Sequence, residues 1–170
     1  MKTLLRLLFL IVVLGLGVWA WTIFFPKPET IVRKRLSQLA ALASFSAGEG
    51  NFAKVARIER LGALFADQVE VRVDVPGFEA HSFDRREDLM QVAMQVAMDT
   101  KQVPTGIKAE FLDIMVEVGP DKKSALVDLT LNAKIGDDRD MVVQELKITL
   151  KNLKGNWLVT RIETVKTLRL

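Results

Sequence analysis

The sequence has no cysteine, no tyrosine and a single histidine, His81. Without thiols there are no disulfides, thiolate nucleophiles, iron–sulfur clusters or cysteine zinc sites. One imidazole cannot build a multi-histidine metal centre, and no mechanism can call on a phenolic acid. Neither a metal nor a cofactor is expected. A net charge of either sign is nearly missing too. Setting aside Lys2 and Arg6, which sit in an N-terminal segment without acidic residues, 22 basic residues face 21 acidic ones. A domain so close to neutrality has no electrostatic footprint for a polyanion, which excludes nucleic acid as an expected partner. The charge is unevenly spread, with nine acidic and four basic residues from Glu110 to Glu145, then six basic and one acidic from Lys147 onward. Neighbouring strands pairing their charges side by side account for this; a polar surface that orients on a charged partner is the alternative.

What is present is apolar. At 49% apolar residues over 170 positions, the chain can bury the core of one domain. From Leu7 to Phe25 there are 19 residues without a charge. As a helix this run is about 28 Å long, close to the hydrocarbon thickness of a bilayer. Trp19 and Trp21 fall near its far end, where indoles favour the interface, and Pro26 ends it. A cleaved signal peptide competes, with Lys2 and Arg6 as its basic region and Val18-Trp19-Ala20 as a cleavage site. Against cleavage, the apolar run continues through Phe25. Residues 1–26 therefore read as an uncleaved single-pass signal anchor, and 27–170 as a domain in the periplasm, outside the cytoplasm.

Helical periodicity follows Pro28, with Val32, Leu36, Leu39 and Ala43 on one stripe. A second helix, capped by Asn51, has Phe52, Val55, Ile58 (or Ala56), Leu61 and Phe65 as its buried face. Residues 69–75 alternate as a half-buried strand, and Pro76-Gly77 turns into a short strand ending near Phe83. Asp84 and Glu87 mark the start of a third helix lined by Met90, Met94 and Met98. Strands are expected at about 107–118, 123–135, 140–152 and 156–168, separated by turns at Gly119-Pro120-Asp121, Gly136-Asp137-Asp138 and Lys154-Gly155-Asn156. The order is α+β, with helices on one face of a curved antiparallel meander.

That order, with the last-strand phrase Gly155-Asn156-Trp157-Leu158-Val159-Thr160-Arg161-Ile162, resembles the NTF2-like (nuclear transport factor 2) superfamily, also described as cystatin-like or SnoaL-like. The resemblance spans residues 29–169. It implies a cone of curved antiparallel sheet covered by three helices, preceded here by the transmembrane helix. The superfamily holds isomerases, cyclases and dehydratases beside members without catalysis, so the fold does not choose the function. Its catalytic members use tyrosines with carboxylates or a histidine, and this chain has no tyrosine to place there.

Alternation assigns the inner face to Leu112, Ile114, Val116 and Val118, then Ala125, Val127, Leu129, Leu131 and Ala133, then Val142, Leu146, Ile148 and Leu150, with Gln144 as the one polar member. Asp113, Asp128 and Glu145 turn outward. Met90, Met94, Gln144 and Trp157 are candidate cavity lining and His81 a candidate at the mouth. No catalytic residue is assigned. The leading expectation is a membrane-anchored, non-enzymatic scaffold that meets a protein partner or a second copy of itself. The first alternative is a binder of a small apolar ligand in the cone; the second is a cryptic enzyme built on Asp113 or His81. An open cavity favours the binder, and a sealed cone the scaffold.

Overall fold

The computed structural model describes residues 27–46, 48–74, 81–98, 106–135 and 140–165. The expected anchor 1–26 and the turns at 76–77 and 136–138 lie outside the described residues. Among those described, no helix is long and apolar enough to cross a membrane. In chain order the elements are α1 (Pro28–Ala43), β1 (Phe45–Ser46), α2 (Asn51–Gly62), β2 (Phe65–Val73), β3 (His81–Arg85), α3 (Arg86–Met98), β4 (Gly106–Val118), β5 (Ser124–Ile135), β6 (Asp140–Leu153) and β7 (Asn156–Thr164).

Pro28 occupies the first turn of α1, where its missing N–H is no loss, and Val32, Leu36 and Leu39 form the buried stripe. The strands make one sheet in the order β1-β4-β5-β6-β7-β2-β3. The β4–β7 meander is antiparallel throughout. The sheet as a whole is mixed rather than purely antiparallel, because the last strand of the meander meets β2 running in the same direction. The sheet curves and is covered by three helices. Val32 and Leu36 of α1, Ile58 of α2, and Val69, Val127, Ile148, Leu150 and Trp157 from the strands form the packed core.

Past Ile107, no strand among the described residues pairs with the outer side of β4, and α1 covers that edge. Ser44 Oγ accepts the Ala109 N–H at 2.9 Å while donating to Ala40 O at 2.8 Å. Near the other end of α1, Arg33, held by Glu29 at 3.0 Å, donates to Ile114 O at 3.1 Å. These contacts satisfy ladder groups that another chain would otherwise pair with.

Three local expectations need correcting. Leu112 is 43% exposed, and Phe111 faces inward in its place. The cause is a β-bulge: the ladder slips between Leu112 and Met115, where Asp113 adopts φ +51. One extra residue exchanges the two faces, so Ile107, Ala109 and Phe111 point in before the bulge, and Ile114 and Val116 after it. Asp113 stands exposed outside, as expected, although by this route rather than by simple alternation.

In α2, Phe52 is 94% exposed while Lys54 is 4% exposed. The Lys54 ammonium donates to Ala97 O at 2.8 Å and lies 5.8 Å from the centroid of the Phe45 ring. Ala97 is in the last turn of α3, where carbonyls lack helical partners and the dipole favours a cation. Lys54 shares the buried face of the helix with Ile58 and Leu61, and Phe52, two residues away, falls on the other side.

Helix starts also differ. Gly50, not Asn51, precedes the first turn of α2 as its cap. α3 begins at Arg86, because Arg85 is still paired with Gln68 in the β2–β3 ladder.

Candidate functional site

Ala109, Ala133 and Val142 are cross-strand partners on β4, β5 and β6, and together they make one rung of short side chains on the inner face. The next rung is Phe111, Leu131 and Gln144. Farther along the same strands, Val127 and Leu150 meet Val32, Leu36 and Trp157, and that end of the cone is solid. At the short-chain end the small side chains leave space between the sheet and the helices. The result is a cavity of about 470 Å³, open to solvent rather than sealed. Leu39 and Ala43 of α1, Leu61 of α2, Phe65, Val71 and Val73 of β2 and Ile162 of β7 complete its wall. Its size suits a small organic molecule.

Gln144 is the only polar side chain among the described lining residues, and none of them titrates. Its Nε2 donates to Glu145 O at 3.1 Å and to Val165 O at 3.4 Å. General acid–base work needs a titratable group beside the substrate, and Asp113 is on the opposite face of the sheet. Among the described residues, no three His, Asp or Glu side chains converge as metal ligands would. The outward charges pair across strands, with Lys147 at 3.6 Å from Asp128 and Arg161 at 3.4 Å from Glu70, and along β7, with Arg161 at 3.2 Å from Glu163. Exposed pairs of this kind contribute little to stability.

Of the expected lining residues, Gln144 is in place and three are elsewhere. Met90 lies against Gly62 at the α2–α3 contact, where the missing side chain leaves room for the thioether. Met94 packs on the core cluster from α3. Trp157 is 2% exposed in the solid end of the cone, opposite Asn152, at the far end of β7 from Ile162. His81 opens β3 opposite Val73; its side chain lies outside the described part of the structure, and with it the expected position at the mouth. Ala109 and Phe111 belong to the wall and were assigned to no face, because the bulge hides their phase. The signal that points to the cavity is the run of small residues, Ala43, Ala109 and Ala133, on facing elements.

No family model matches the sequence, and no curated protein matches it significantly. Solved structures do match in shape. An NTF2-like protein of unknown function from Pseudomonas putida superposes with a TM-score of 0.62 at 13% identity, over 84% of this chain and 88% of that one. An NTF2-like protein with a cystatin-like fold from Novosphingobium aromaticivorans gives 0.58 at 14% identity, over 86% of each chain. A candidate scytalone dehydratase from the same species gives 0.60 at 15% identity, over 82% of this chain and 84% of that one. The chain has the NTF2-like, cystatin-like α+β fold; at these identities the likeness extends to the fold alone.

Proposed function

We propose that this domain binds a small apolar molecule in the cone cavity and performs no acid–base chemistry there. The observation that carries the reading is the cavity itself: about 470 Å³, open, and lined by apolar side chains with Gln144 as the one polar exception. Buried apolar surface supplies affinity, and a few placed polar groups supply orientation. Titration of the full-length chain with N-phenyl-1-naphthylamine, which fluoresces on leaving water, tests it. Saturable binding of one molecule per chain is expected, and Ala133→Trp, which fills the short-chain rung, is expected to abolish it. Unsaturable uptake, or uptake that survives in a folded Ala133→Trp chain, contradicts the proposal.

The scaffold reading keeps one supporting observation. Leu112, Met115, Met141 and Val143 stand exposed on the outer face of β4 and β6, a surface suited to a second copy of the chain. The proposal also places the domain on a membrane tether formed by Leu7–Phe25, with residues 27–170 outside the cytoplasm. Support comes from the length of the charge-free run and from Lys2 and Arg6 ahead of it. Alkaline phosphatase fused after Leu170 is expected to be active; activity there of a reporter that works only in the cytoplasm reverses the orientation.

A further inference from the structure

The geometry points to one chemical class of ligand: an apolar body that carries a single hydrogen-bond donor, placed against Oε1 of Gln144. This inference rests on the binding reading above and names what that site takes.

A glutamine amide offers two N–H donors and one carbonyl acceptor. In this structure the two neighbours of the amide are both backbone carbonyls, Glu145 O at 3.1 Å and Val165 O at 3.4 Å. Acceptors do not face acceptors, so these partners fix which end of the amide is nitrogen. The Val165 N–H is itself given to Glu145 O at 3.0 Å, so it is not a spare donor for the glutamine. Among the described residues, Oε1 is left as the unpaired half of the side chain. Gln144 is part of the cavity wall, which puts its amide within reach of a ligand held there.

Around it the wall is Phe111, Leu131, Ala133, Val142 and Leu146, which offer nothing to an ion or to a second donor. Once a ligand displaces water, an acceptor left alone in such surroundings is costly, and one donor on the ligand removes that cost. A carboxylate or phosphate would meet neither a cation nor a free N–H among the described lining side chains. A site built to pair one polar group also rejects the analogue lacking the complement far more strongly than it senses a methylene.

The test compares two molecules of nearly the same shape on the full-length chain. N-phenyl-1-naphthylamine bears one N–H; 1-benzylnaphthalene carries CH2 at that position. Binding is read by equilibrium dialysis, and uptake by the pocket-filled Ala133→Trp chain is subtracted so that partitioning into Leu7–Phe25 cancels. Ala109→Phe replaces that control if Ala133→Trp fails to give the wild-type circular dichroism spectrum. The amine is expected to bind about tenfold more tightly than the hydrocarbon, and Gln144→Leu to bring the two within about twofold. Equal affinities in the wild type, both abolished by pocket filling, overturn the donor assignment and leave the binding reading intact. A preference for the amine that survives in both Gln144→Leu and Gln144→Met overturns it too. Failure of both molecules to bind in the cavity overturns the binding reading and this inference together.

Discussion

Gly106 is where the two-residue strand β1 touches β4, at the rim of the cavity wall. Its φ is +102, a conformation that side chains rarely adopt, and a Cβ there would collide with Phe45 O and approach Ser46 Cα to 2.9 Å. Both atoms are backbone and cannot rotate away. Positive φ costs a substituted residue about 1–2 kcal/mol, and overpacking about 1–3 kcal/mol more. Gly106→Ala is therefore expected to lower the unfolding free energy by about 2 kcal/mol or more in urea titrations of the full chain. An unchanged midpoint would contradict the close β1–β4 contact. Individual residues are also where the sequence was hardest to read. Counting apolar residues put Phe52 inside and passed over Lys54, because no pattern announces that an ammonium will cap a neighbouring helix. Asp113 was conspicuous as a charge in an apolar run, but its meaning was a bulge. That follows only from the pairing partner, which the sequence does not show.

Among elements, the β4–β5 turn is self-organised. Oδ1 of Asp121 accepts the Lys123 N–H at 2.9 Å, the Ser124 N–H at 3.0 Å and the Ser124 hydroxyl at 2.9 Å. A Cβ on Gly119 would collide with that hydroxyl, which is why a glycine opens the turn. The Lys123 amide first, then the Ser124 hydroxyl, holds the Asp121 carboxyl below its ordinary value of 3.8. A carboxyl lowered in the folded state adds stability that is fully present above the ordinary value and is lost as pH falls through the lowered one. Asp121→Asn is accordingly expected to be less stable than wild type at pH 7. The gap between their urea midpoints should narrow as the pH drops below about 4. A gap that stays constant down to pH 2 contradicts the turn chemistry.

Elements of this kind were legible in advance. Glycine, proline and aspartate marked the β4–β5 turn, Lys154-Gly155 marked the β6–β7 turn, and period-two alternation over a dozen residues fixed β5 and β6, with Gln144 inward as read. The parallel join of β2 to β7 was not legible, since pairing between strands so distant in sequence depends on how the helices fold over the sheet.

For the molecule as a whole, alternation could say which side chains face the helices but not whether they fill the space between. A solid cone and a hollow one share the same pattern, and the difference here lies in the volumes of Ala43, Ala109 and Ala133 on three facing elements. That is why an inward-facing set read correctly on β5 and β6 still left Met90, Met94 and Trp157 as expected lining when they belong to the packed part. The fold likewise does not select between a cavity that binds and an outer face that associates. Methyl NMR on the full chain, labelled at isoleucine and methionine and titrated with N-phenyl-1-naphthylamine, separates the two directly. The account predicts that the methyls of Ile107, Ile148 and Ile162, which line the cavity, shift on addition while those of Met115 and Met141 on the outer face do not. Shifts confined to Met115 and Met141, with the three isoleucines unmoved, would contradict it.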